Sequence, residues 1–255
     1  MENNTNIEQD KVVQAPEVSG VSSSAPKLST PVAIIIAGFL IMVGIFASNA
    51  QAPKVTNKVA VNDKVEDTGE KPIVLAPISA SDHILGDLTK AEIVIVEFSD
   101  LECPYCKTFH SSLQATVAKY PGKIAWVYRH FPLDGLHPKA RMEARATECA
   151  ASIGGNDAFW KYTDMIFATT KSNNQLDLSQ LPVFASKIGL DKKAFESCLA
   201  SEEMDAKVQA QYEDGVRAGV SGTPHSIILL KDGTKIPIKG ANIDGLNSAI
   251  DSYLK

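Results

Sequence analysis

The sequence predicts an α/β fold built from two halves separated by a helical insertion, with a single apolar segment ahead of them. Three observations carry this. An apolar β-branched run, a helix-like stretch and a second apolar run occupy 91–131 in the order of a β-α-β unit. Two short apolar runs around an Asp-Gly, followed by a helical pattern, occupy 226–254 in the order β-β-α. Between them, positions 137–218 recur at helical spacing over about 80 residues.

Residues 1–31 are rich in Ser, Asn, Val and Pro, lack apolar periodicity and read as a disordered tail. Val32 to Ala47 then runs sixteen residues without a charge or a strongly polar group. A spanning helix needs about 20 apolar residues, with about 17 as the lower limit. The segment 32–50 is therefore read as a transmembrane anchor. The alternative is a signal-peptide core with Ala50-Gln51-Ala52 as its cleavage site. A long leading segment carrying Glu2, Glu8, Asp10 and Glu17 against Lys11 and Lys27 favours the anchor, because a signal's leading region is short and positive. Lys54 and Lys58 follow the span, so charge does not favour an outward catalytic domain. The chemistry below needs an oxidising side, and that overrides the charge argument. Residues 51–78 mix Pro, Lys, Val and Asp without a sustained period and read as a linker; 79–255 is the folded domain.

Ala91 to Phe98 is a strand buried on both faces. A helix starts at the cysteine motif and continues through Phe109 to about Tyr120, where Pro121-Gly122 stops it. Lys123 to Phe131 is the second strand, and a right-handed crossover makes the pair parallel. In the insertion, Ala140, Ala144, Phe159, Tyr162, Phe184, Phe195 and Tyr212 mark four or five helices, punctuated by Gly154-Gly155, Pro182 and Gly189. Ser226–Leu230 and Thr234–Ile238 form a hairpin about Asp232-Gly233, and Ile243–Leu254 closes the chain as a helix. The net charge of −5 is dispersed, with no basic block of the kind that binds nucleic acid.

The chemistry lies at Cys103-Pro104-Tyr105-Cys106. Disulfide exchange proceeds through the thiolate, so a working cysteine must ionise near neutral pH. At the change from strand to helix, Cys103 faces free backbone N–H groups and the positive end of the helix dipole. Pro104 suits a first helical turn, because its missing N–H would have had no partner. Cys106 falls on the same face, within disulfide reach and deeper in the fold. Cys103 is thus the nucleophile and Cys106 the resolving thiol. Structural zinc uses the same spacing but needs a second ligand pair, and Cys149 and Cys198 are each solitary; no metal is expected.

A second signature is Val220-Ser221-Gly222-Thr223-Pro224, where glycine permits a close approach and an X-Pro bond can be cis. Such a loop facing the cysteines would hold an extended substrate through main-chain hydrogen bonds; the plainer alternative is a turn before a strand. His110 reads as a solvated helix residue, His130 and His137 as structural, and Trp126 and Trp160 as core.

The stretch Glu97 to Cys106 resembles the active-site segment of the DsbA family of disulfide oxidoreductases, and Gly222-Thr223-Pro224 resembles that family's cis-proline loop. Arg129 to Leu133 and Phe159-Trp160 are similar to further family segments, and the likeness covers about 80–255. It implies a thioredoxin fold interrupted by a helical domain, and dithiol–disulfide exchange with exported proteins that carry free thiols. It implies Cys103 and Cys106 as the redox pair, Pro224 as the cis-proline, and Glu97 as a buried acid serving the resolving thiol. Pro104, Tyr105, Thr223 and Pro224 would contact substrate. Some relatives join cysteines in the insertion, which implies a Cys149–Cys198 disulfide rather than two buried free thiols. That bond would close a loop of about 50 residues and stabilise the fold by about 4 kcal/mol. A quinone-linked membrane partner would reoxidise the pair, and no cofactor is expected.

The family's strongly oxidising member has Pro-His between its cysteines where this chain has Pro-Tyr, and Tyr105 supplies no cation. Thr223 before the proline is shared with isomerase-like relatives. Oxidation of substrate dithiols is the favoured direction. Reduction or isomerisation on the same fold, and non-catalytic peptide binding, are the alternatives.

Overall fold

The computed structural model describes residues 72–201 and 203–255, all within the unit Asp67–Lys255. The tail 1–31, the apolar segment 32–50 and most of the linker reading at 51–78 lie outside the described residues. Among the described residues no helix is long and apolar enough to cross a membrane.

The elements are β1 (His83–Leu85), β2 (Ile93–Ser99), α1 (Pro104–Lys119), β3 (Ile124–His130), α2 (Ala140–Thr169), α3 (Leu181–Lys187), α4 (Lys192–Ala200), α5 (Glu203–Arg217), β4 (His225–Leu230), β5 (Lys235–Lys239) and α6 (Ile243–Tyr253). The sheet runs β1-β3-β2-β4-β5. β2 and β3 are parallel, as a β-α-β crossover requires, and the other neighbours are antiparallel.

Side-chain alternation along β2 divides the core in two. Ile93 and Ile95 join Trp126, Tyr128, Phe109 and Leu113 in the larger cluster, which α1, α6 and the insertion helices share. Val96 and Phe98 join Val127, Phe131 and Ile227 in the smaller one, with Tyr212 of α5 against it. α5 comes very close to the sheet at Gly215, where a Cβ would lie 2.6 Å from the Phe131 ring and 2.9 Å from that of Phe98.

The insertion is α2 to α5. α2 breaks at Gly155, whose φ of 74° is left-handed, so the glycine pair separates two helices joined end to end. Cys149 of α2 and Cys198 of α4 form a disulfide with Cα atoms 5.7 Å apart.

Two sequence readings are corrected. The linker stops short of 78, because Ile73, Leu75 and Ile78 pack against the smaller core. Arg129, buried in β3, holds this stretch: it donates to Asp82 at 2.8 Å, to Asp214 at 2.5 Å and to the Ala76 carbonyl at 3.2 Å. β1 was not expected; its three residues pair with Trp126–Tyr128.

Candidate active site

Cys103 caps α1 with extended backbone (φ −77°, ψ 122°), and Pro104 occupies the first helical position. Both Cys103 and Cys106 are free thiols, and both are buried, Cys106 completely. Hydrogen bonding from Cys106 lowers the Cys103 thiol from 9.0 to about 6; burial opposes this, while the backbone N–H groups of Cys106 and Tyr105 and the Thr223 side chain add to it. Burial pushes Cys106 well above its ordinary value, reinforced by Cys103 and Glu97. The two sulfurs are thus driven apart in acidity as a nucleophile and a resolving thiol must be.

The Thr223 carbonyl lies 3.6 Å from Cys103 Sγ and accepts from the thiol. The Thr223–Pro224 peptide bond is cis. A Cβ at Gly222 would meet nothing within 4 Å, so the close approach comes from Thr223 and not from the glycine. Tyr105 is 67% exposed beside the sulfurs.

Glu97 is wholly buried on β2, in register with Tyr128 on one side and Ser226 on the other. Neither carboxyl oxygen has a hydrogen-bond partner of good geometry. Burial raises its pKa from 4.5 to about 8, against the weaker pull of Ser99 and Trp126. Near neutral pH this side chain holds a proton close to Cys106.

His110 is a correction. Its ring is buried against Trp126, Trp160 and Phe167, with centroids 5.0, 6.3 and 4.7 Å away, and Nε2 is 2.7 Å from Asp164. The insertion covers that face of α1, which the helix taken alone leaves to solvent. His130 lies with His83 and Lys207 about Glu148, remote in role from the thiols: Lys207 Nζ is 2.6 Å and His83 Nε2 2.9 Å from that carboxylate. His137 does reach the site, with Nδ1 3.0 Å from Asp100.

Asp100 and Glu102, which the sequence does not single out, lie in the turn beside the cysteines. Asp100 accepts from the Glu102 and Leu133 N–H groups, each at 2.8 Å, and its own N–H donates to Cys106 Sγ at 3.5 Å. The available signal was two acids in the short turn before a nucleophile, a place where a charge needs a partner.

A family model described as Thioredoxin matches residues 79–252. The chain belongs to the thioredoxin family. Within that family it is DsbA-like. Pseudomonas aeruginosa DsbA2 is 32% identical with a TM-score of 0.58, the likeness covering 69% of this chain and 96% of that one. BdbD from Bacillus subtilis shares the fold, with 20% identity and a TM-score of 0.61 over 72% of this chain and 99% of that one. Curated relatives include the Na(+)/H(+) antiporter NhaA 3 of Salinispora tropica, 32% identical over 56% of this chain and 21% of that protein. NhaA of Herminiimonas arsenicoxydans is 32% identical over 66% of this chain and 26% of that protein. The likeness thus spans about a fifth to a quarter of those antiporters, and ion transport is not carried to this DsbA-like chain.

Proposed function

We propose that this DsbA-like chain is a thiol–disulfide oxidoreductase that introduces disulfides into exported proteins. The observation that carries it is the divergent pair: Cys103 lowered to about 6 beside Cys106 raised well above 9.0, with the Thr223 carbonyl 3.6 Å from the nucleophilic sulfur. A substrate thiolate attacks Cys103 Sγ of the oxidised pair, the Cys103–Cys106 bond breaks, and Cys106 leaves as a thiolate. That thiolate takes a proton, and the buried Glu97 carboxyl is suited to supply it. A second substrate thiolate then attacks the substrate sulfur of the mixed disulfide, and Cys103 leaves as a stable anion. The substrate loses two electrons and two protons, and the Cys103–Cys106 disulfide gains the two electrons. One proton restores the Glu97 carboxyl after it has protonated Cys106, and the other passes to solvent while Cys103 stays a thiolate. A low-pKa leaving thiol favours this release, so oxidation is the preferred direction.

In this reading the segment 32–50 anchors the catalytic domain on the extracytoplasmic side, and a membrane redox partner reoxidises the dithiol. Substrate is held along the Thr223-Pro224 loop, between Pro104 and the exposed Tyr105 ring.

Cys103→Ser is expected to abolish oxidation of a reduced model protein, and Cys106→Ala to accumulate mixed disulfides at position 103. Full activity in the Cys103 variant refutes the assignment. The uncharged Tyr105 favours a second reading as reductase or isomerase. A reduction potential near about −120 mV supports the oxidase and one near about −270 mV the reductase.

A further inference from the structure

His225 follows the cis-proline directly and opens β4, in register with Phe98 on one side and Lys239 on the other. Alternation along the strand turns its ring to the face of the smaller core, which Ile227 and Phe98 share, and away from α1. The ring is 4% exposed, and Nε2 is sealed with no hydrogen-bond partner among the described residues. A sealed lone pair is tolerated better than a sealed N–H, so the proton belongs on Nδ1. Burial, and then Lys239, lower the pKa of this histidine, so at neutral pH the ring is uncharged and offers that one donor.

The same ring lines a cavity of about 390 Å³ at the β4–β5 rim, together with Lys235, Pro237 and Lys239 of β5, Gly219 after α5, and Ile73. Alternation brings both lysines and the proline to one face of β5, with the lysines about 13 Å apart along the strand. Lys239 is directly opposite His225, where the Cβ atoms of an antiparallel pair come within about 5 Å. Lys235 Nζ donates to the Ile73 carbonyl at 3.1 Å, which holds the ammonium group at the cavity wall and leaves it two further N–H groups. At Gly219 a Cβ would meet nothing within 4 Å, so the wall is open there. No acidic side chain of the described residues lines the cavity. Two cations and one N–H thus converge on one space without a counter-charge. Three donors from three directions exceed what the two oxygens of a carboxylate can meet, and they match a tetrahedral oxyanion.

We propose that this cavity is a binding site for a tetrahedral oxyanion of the phosphate class, held by Lys235, Lys239 and the His225 N–H. It lies on the face of the sheet opposite α1, and it stands independently of the oxidoreductase reading. An anion there ties β5 to the residue after Pro224, and so to the loop whose Thr223 carbonyl faces Cys103 Sγ.

The test uses the full-length protein in a maltoside detergent, labelled at its five histidines and titrated at pH 7 with sulfate, a dianion at that pH. Chloride is exchanged out to hold ionic strength constant, so that screening does not change. The His225 ring signal is the one lost in His225→Gln. It is expected to move saturably at millimolar sulfate while the other histidines stay still. Lys239→Met is expected to weaken binding about tenfold, and Lys239→Arg to stay within about twofold of the parent. A His225 signal that stays fixed, or that drifts linearly in step with the other histidines, overturns the proposal. So does undiminished binding when Lys235→Met and Lys239→Met are combined. Should His225→Gln not fold, calorimetric titration of sulfate into the parent and these lysine variants decides, since both lysines are exposed. Phosphatidylglycerol added to the micelle separates the sources: competition with sulfate marks a lipid headgroup, and its absence marks a soluble phosphate-class anion.

Discussion

Replacing Glu97 with Gln separates the penalty of burying a carboxylate from every other contribution to stability. The folded chain titrates this group near 8 against an ordinary 4.5, because burial disfavours the anion. Folding therefore favours the protonated form, and its contribution to stability is fully present below pH 4.5. It is lost as pH rises toward 8, where folding must bury the charge. Each pH step in that window removes about 1.4 kcal/mol, which makes about 3 kcal/mol by pH 7 and a ceiling of about 5 kcal/mol above pH 8. Glutamine fills the same space without titrating. Its own unpaired amide adds an offset that is constant with pH, so the slope is diagnostic and the absolute difference is not. Urea unfolding of the reduced proteins from pH 5 to 9 is expected to show the variant gaining steadily on the parent up to pH 8 and then levelling. A difference independent of pH, or a parent that gains on the variant as pH rises, refutes the assignment of a buried protonated carboxyl. The same variant is expected to form mixed disulfides with substrate more slowly, since the departing Cys106 thiolate no longer has the Glu97 proton to take up.

Alkylation of Cys103 is expected to reach half its plateau rate near pH 6, and a midpoint near 9 removes the case for a stabilised thiolate. Cys149→Ala with Cys198→Ala opens a crosslink between positions 49 residues apart and is expected to lower stability by about 4 kcal/mol in denaturant unfolding. Gly215→Ala places a methyl 2.6 Å from the Phe131 ring, and a loss of about 1–3 kcal/mol is expected from overpacking; unchanged stability would mean α5 moves freely off the sheet. Arg129→Met strands Asp82 and Asp214 without their shared cation, with an expected loss of about 3–5 kcal/mol in the same assay.

The elements legible in the sequence were those with a local signature. Ile93–Ser99 and Ile124–His130 fall within two residues of the expected strands, because β-branched runs bounded by Pro121-Gly122 and the cysteine motif leave little choice. α1 begins at Pro104 for the reason read from its proline. What escaped depends on distant partners. β1 is three residues, too short to show a period, and exists through its pairing with β3. The docking of 72–78 depends on Arg129, which bridges Asp82, 47 positions away, and Asp214, 85 positions away. His110 is buried only because the insertion folds back over α1. At the site, the cysteines, Pro224 and Glu97 announced themselves by spacing and resemblance. Asp100 did not, because its partners Leu133 and His137 lie 33 and 37 positions away and only folding brings them to it.

The two rims of the sheet have a consequence for a protein whose proposed work is to meet unfolded chains. β5, at one rim, carries Pro237 at its centre with exposed Lys235 and Lys239 at its ends, and β1, at the other, offers only three residues. Proline lacks the donor a further strand would need, and lysine disfavours close packing there. Among the described residues, a client polypeptide rich in unpaired backbone thus meets a poor template along either border, which favours docking at the loop beside the sulfurs. The molecule can touch aggregation-prone chains one after another without becoming the seed on which they assemble.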